Sequence, residues 1–207
     1  MTAPHAPKRP PVGDERILLR TNRGDLVVGL YETVAPKHAV QIRKLVRLGV
    51  YDTTSIFRVE PGFVAQITNA QNRKVALTPE QHLAITPIPA EFSALPHTLG
   101  GVSMARDADD PNSAEASFSF MLGRAPELDR KFTIIGEVEF GQRLLALIAH
   151  EPRDPQNRPF NPIVIEHAEV KTGREIADLR AAGALREAQP LPKAGPPPPR
   201  PVSRRLP

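Results

Sequence analysis

The sequence predicts a mainly β fold, an eight-stranded antiparallel barrel capped by two helices. Three observations carry this expectation. Eight short apolar runs of strand length recur along the chain. Gly, Pro, Asn and Asp residues punctuate them, so that successive runs follow one another as hairpins. Only two stretches between the strands show a strong helical pattern, which leaves them to cap a closed or nearly closed sheet.

Taken in order, RILLRTN (16–22) and DLVVGLY (25–31) flank Arg23-Gly24 and read as a hairpin. APKHAVQIRKLVRLG (35–49) reads as a helix: Pro36 suits a first turn, Ala39, Ile42, Leu45 and Val46 share one face, and Gly49 is a stop. SIFRVE (55–60) and FVAQIT (63–68) are strands around the Pro61-Gly62 turn. Residues 70–97, with four prolines, read as a long excursion with little regular structure. LGGVSMA (99–105) is a short strand, RDADDPNSAEA (106–116) a loop, SFSFMLG (117–123) a strand and APELDRK (125–131) a turn. FTIIGEVEFG (132–141) is a strand, QRLLALIAH (142–150) a short helix, and NPIVIEHAEV (161–170) closes the set. The pattern turns helical again over 173–188.

Composition narrows the function. A chain of 207 residues supports one domain with a real core. It has no cysteine, so disulfides, thiolate metal sites and cysteine nucleophiles are excluded. Six basic residues, Lys8, Arg9, Lys193, Arg200, Arg204 and Arg205, lie in two acid-free tails. They exceed the net charge of +4, so the core is slightly acidic and no nucleic-acid groove is expected on it. Half of the 24 prolines sit in the same tails. The expected organisation is a Pro-rich basic arm (1–13), a globular domain (14–172), a helix (173–188) and a disordered or polyproline tail (189–207). No apolar run approaches a membrane span, and no secretory signal is visible. A cytoplasmic, monomeric protein is the expectation.

The six histidines show no i, i+4 pair, and no P-loop, dinucleotide or nucleophile-elbow motif is present, so neither metal nor cofactor is expected. What remains is FRVEPGFVAQ (57–66), which sets Arg58 and Gln66 within apolar strands. On periodicity alone, Arg58 reads as a strand arginine in a surface ion pair; the alternative is that it lines a pocket and works there.

The order of three segments bears on that choice: VYDTTSIFRVEPGFVAQ (50–66), HTLGGVSMARDADDPNSAEASFSFML (97–122) and ELDRKFTIIGEVEFGQRLL (127–145). Together with the helix before them they resemble the cyclophilin family of peptidyl-prolyl isomerases over roughly residues 14–171. The F/I-x-R-V-x-P-G-F-x-x-Q string, here starting at Ile56, carries most of the likeness, with G-V-x-M-A and L-D-x-K-F-x-x-x-G-x-V following in order. The resemblance implies a cyclophilin-like barrel and an enzyme that exchanges cis and trans X-Pro bonds of peptides and proteins, assisting folding, without a cofactor.

Residue by residue, it implies that Arg58 is the catalytic arginine and Gln66 its positioning partner. Phe63 forms the floor of a proline pocket, Val64 replaces a pocket methionine, and Leu128 matches a pocket leucine. Ala105 holds the residue before proline, and Arg106 stands where the backbone meets the peptide. Phe57 precedes the arginine in place of a histidine, and Phe132 replaces another pocket histidine. Phe118 keeps an aromatic position of S-Q-F-F, while Ser117 and Ser119 replace its glutamine and second phenylalanine. Glu127 replaces a tryptophan, and Ile67, Thr68 and Asn69 replace a G-G-D. The implied partners are proline-containing peptides or unfolded segments, with neither nucleic acid nor membrane. The departures motivate an alternative, a catalytically weak module that holds proline-containing segments.

Overall fold

The computed structural model describes residues 9–67 and 73–190. The expectations for most of both tails, and for Thr68 and Asn69, lie outside these residues. Eight antiparallel strands form a closed barrel in the order β1-β2-β7-β5-β6-β4-β3-β8. They are β1 (Glu15–Thr21), β2 (Gly24–Leu30), β3 (Ser55–Glu60), β4 (Val64–Ile67), β5 (Gly101–Met104), β6 (Phe118–Met121), β7 (Ile134–Phe140) and β8 (Ile163–Thr172). Closure removes every free sheet edge. Alternation then sorts each strand: Ile17, Leu19, Leu26 and Val28 point into the main core, whereas Leu18 and Val27 point outward.

Both expected capping helices are present, α1 (Pro36–Arg47) and, numbered in chain order, α3 (Gln142–Ala149). Ala39, Ile42, Leu45 and Val46 of α1 and Leu144, Leu145 and Ile148 of α3 join the inward-facing strand residues in one core. That core is what holds the barrel, at about 25 cal/mol per Å² of apolar surface removed from water.

Two further helices modify the expectation. The excursion over 70–97 contains α2 (Pro79–Ala84). Its start is a capping box: Thr78 Oγ1 accepts from the Gln81 amide, and the Gln81 side chain accepts from the Thr78 amide. The excursion also supplies the cap that Ala35 cannot give α1. Glu91 accepts hydrogen bonds from the Lys37 and His38 amides, both at 3.1 Å, and from the His38 ring at 2.6 Å. Burial opposes ionisation of Glu91, but these bonds outweigh it and keep its carboxyl below the usual glutamate value.

The helix expected over 173–188 is shorter, α4 (Gly173–Ala181). Gly183, with φ +64°, stops it: its amide bonds Arg180 O and the Ala184 amide bonds Leu179 O, the pattern of a Schellman cap. Ile176 of α4 and Leu185 beyond it cover the outward Leu18 and Val27. The chain then straps across the β1–β2 hairpin. Asp25, fully buried, accepts from the Arg186 amide at 2.9 Å, from Arg186 Nε at 2.8 Å and from Arg20 at 3.1 Å. Its own amide bonds Arg186 O, and the Gln189 amide bonds Arg23 O. No helix among the described residues is long and apolar enough to cross a membrane.

Removing one partner of a buried carboxylate leaves it under-satisfied, at a cost of about 1–3 kcal/mol. Arg186→Ala is therefore expected to lower stability by that amount in urea unfolding. Unchanged unfolding would show that the strap carries no weight.

Candidate active site

Two strand features set the site. The first is a bulge. Ile56 pairs with Ile67 and Arg58 with Gln66, so Phe57 is the extra residue on β3. It resets the alternation: Ile56 and Val59 face the core, and Arg58 and Glu60 face outward. The second is register. Gln66 pairs with Ser119 and Ser119 with Ser103. Arg58, Gln66, Ser119 and Ser103 therefore form one row on the outer surface across β3, β4, β6 and β5.

That row borders a cavity of about 270 Å³. Its apolar side is a small cluster outside the barrel core, in which Val64, Met121 and Ala125 are buried and Phe63 and Leu128 pack against them. Phe63 is delivered by the Pro61-Gly62 turn, where the Phe63 amide reaches back to Glu60 O at 3.0 Å. Gly62, with φ +73°, occupies the position of a type II turn that demands a positive φ. Leu128 comes from a single 3-10 turn, Pro126–Leu128. At the far side the Arg106 guanidinium lies 4.4 Å from the Phe132 ring centroid. The same guanidinium donates to the carbonyls of Asp107, at 2.6 Å, and Ala108, at 2.9 Å, and so braces the following loop.

Arg58 is held from two sides. Nη1 donates to Gln66 Oε1 at 3.3 Å, and Nη2 is ion-paired with Glu60 Oε1. Glu60 in turn accepts from Asn157 Nδ2 at 3.2 Å. Asn157 has φ +64°, a left-handed conformation that asparagine tolerates, and its carbonyl takes the Val59 amide. The loop before β8 is thus buttoned to β3 beside the arginine. Arg58 is ion-paired and at the same time lines the pocket.

The model of a family described as cyclophilin type peptidyl-prolyl cis-trans isomerase matches residues 16–170. The chain belongs to the cyclophilins. An Arabidopsis thaliana peptidyl-prolyl cis-trans isomerase is 45% identical over 148 residues, covering 70% of this chain and 65% of its own length. A probable isomerase of Brucella suis is 35% identical over 134 residues, covering 62% of this chain and 68% of its own length. Among solved structures, a Cryptosporidium parvum cyclophilin determined in the presence of the dipeptide Ala-Pro aligns with a TM-score of 0.65. It is 22% identical and covers 76% of this chain and 99% of its own, a likeness of fold.

For this cyclophilin, the expected site residues Arg58, Phe63, Val64, Gln66, Ala105, Arg106, Ser119, Leu128 and Phe132 all line the cavity. Phe57 and Phe118 do not reach it. Phe57 is the bulge residue, and Phe118 faces inward, 5.6 Å from both the Tyr51 and Phe120 rings. The sequence reading missed Ser103, Met104 and Met121 on the cavity wall and Glu60 beside the arginine. Alternation from Ser119 points to Met121; Ser103 depends on cross-strand register, for which the sequence offers no signal.

Behind Ser103 runs a buried chain. Ser103 Oγ is 2.9 Å from His97 Nε2, and His97 Nδ1 is 3.1 Å from Asp129 Oδ1. Although burial works against its ionisation, hydrogen bonds from Arg124 and from the His97 amide and ring hold Asp129 down at about 2. An ionised carboxylate only accepts, so His97 carries its proton on Nδ1 and Nε2 accepts from the Ser103 hydroxyl. Burial pushes His97 below its ordinary 6.5 despite Asp129. The same holds for His38 beside Glu91, whose buried Nε2 has no partner among the described residues and could not carry a second proton cheaply.

Both imidazoles thus bind fewer protons folded than unfolded. Their contribution is complete above the unfolded value of 6.5 and is lost as the pH falls below it. Melting temperature is expected to be level from pH 8 to 7 and to drop between 6.5 and 5. A scan showing a constant or rising value across that interval would contradict the neutral assignment.

Proposed function

We propose that this cyclophilin exchanges cis and trans isomers of X-Pro bonds in peptides and unfolded protein segments. The observation that carries the reading is a guanidinium held in a fixed plane at the lip of an apolar pocket. The amide C–N bond resists rotation by about 18–20 kcal/mol because of its partial double-bond character. For X-Pro the two planar isomers lie close in energy, yet exchange takes tens to hundreds of seconds. A catalyst needs only to bind the twisted amide better than either planar form.

Twisting returns the lone pair to the proline nitrogen. A donor aimed there gains a hydrogen bond that the planar amide cannot offer. Arginine suits this because it stays charged and presents its donors in a rigid fork. Gln66 and Glu60 fix the fork's plane, while Val64, Met121, Phe63 and Leu128 seat the pyrrolidine ring. Arg58 and Glu60 are each about a third exposed, so their ion pair adds little to stability; with Gln66 it orients the guanidinium. The Arg106 amide and carbonyl have no protein partner among the described residues and are free to pair with the peptide backbone. All of these groups come from one chain, so a monomer suffices.

Ser119 in the pocket wall favours a second reading, a module that holds proline-containing segments with little turnover. NMR exchange spectroscopy on an Ala-Pro peptide separates the two. A charge-assisted hydrogen bond is worth about 1.5–3 kcal/mol, so Arg58→Ala is expected to lower kcat/KM roughly ten- to a hundredfold or more while peptide affinity changes less. Equal exchange by wild type and variant would end the first reading; binding without any exchange would establish the second.

A further inference from the structure

The pocket differs in character between its two sides. One side is the apolar cluster; the other is the polar row, with Ser119 at its centre between Gln66 and Ser103. Ser119 is 8% exposed, and strand alternation directs its side chain to the pocket, since Phe118 and Phe120 on either side face the core. Its hydroxyl makes no hydrogen bond among the described residues, although it lines the cavity. Ser103 cannot serve it as a donor, because its one proton is used behind the pocket, where Oγ meets His97 Nε2 at 2.9 Å and Thr133 O at 3.3 Å. Gln66 uses its oxygen for Arg58, which leaves the Gln66 Nε2 facing the same space.

An apolar ring seated over this hydroxyl would take it out of water without supplying a partner, which is costly. A ring bearing its own hydroxyl would satisfy it. Along the row from Arg58 through Gln66 to Ser119 exposure falls from about a third to 8%, so a ring whose nitrogen meets Arg58 would direct its far carbons toward Ser119. We propose that Ser119 forms a hydrogen-bonding subsite in the pocket wall, and that the enzyme thereby favours 4-hydroxyproline over proline on the C-terminal side of the amide bond it rotates. This rests on the isomerase reading of the pocket and specifies its substrate class. A site built to meet a hydroxyl disfavours the analogue that lacks it.

The test compares Ala-Pro, both epimers of Ala-(4-hydroxyproline) and Ala-(4-fluoroproline) in otherwise identical peptides, with each catalysed rate divided by its uncatalysed rate. Fluorine shifts ring pucker and amide electronics without donating a hydrogen bond. Wild type is expected to favour one hydroxyproline epimer over proline by about tenfold in kcat/KM, with fluoroproline resembling proline. Ser119→Ala should lose that preference, and Ser119→Phe should reverse it. Equal hydroxyproline-to-proline ratios in wild type and Ser119→Ala would overturn the subsite. If no peptide exchanges faster than in buffer, the isomerase reading fails on its own. The subsite is then read from NMR titration: tighter binding of one hydroxyproline epimer, lost in Ser119→Ala, supports it, and equal affinities overturn it.

Discussion

Closing the barrel is the constraint from which the site follows. Eight strands paired edge to edge leave no freedom to slide, because a one-residue slip would send a whole strand's apolar set outward. Once the register is fixed, so is the outer row Arg58, Gln66, Ser119 and Ser103. The bulge at Phe57, one of several register shifts in the barrel, is the one that sets Arg58 in this row. Without the extra residue, regular alternation could not keep both Ile56 and Val59 in the core, and Arg58 and Glu60 together would turn inward.

Long connections are fastened to this frame by buried or half-buried carboxylates that accept backbone amides. Glu91 ties the excursion before β5 to the first turn of α1, Asp25 ties the C-terminal segment to β2, and Asp129 ties the turn before β7 to the amide of His97. In each case an acid satisfies donors on a segment far away in sequence, so it acts as both cap and clasp. The last of these reaches the active site, because the proton order that Asp129 imposes on His97 decides which way the Ser103 hydroxyl points.

This division explains what the residues reveal in order and what they hide. The barrel, α1 with its stop at Gly49, and the α3 cap were legible from apolar runs and turn residues, since these are local signals. The α2 start was equally legible: Thr78, Pro79 and Gln81 spell a capping box, overlooked among four prolines. The early end of α4 at Gly183 was another local signal. Most of the pocket came through the resemblance, by position along FRVEPGFVAQ and its downstream partners. Ser103 and Glu60 did not. Their roles arise from register and from a loop ninety-seven residues away that brings Asn157 to Glu60, and no pattern along one chain encodes such a meeting.

Glu60 also bears on how the pocket works. An arginine alone at the lip would swing among rotamers and lose entropy on meeting the substrate. Paired with Glu60 and Gln66, it has already surrendered that freedom during folding. In the proposed function, preorganisation of this kind is what favours the twisted state over the bound ground state. The surface ion pair and the proposed catalytic role of Arg58 therefore belong to one arrangement rather than competing for the residue.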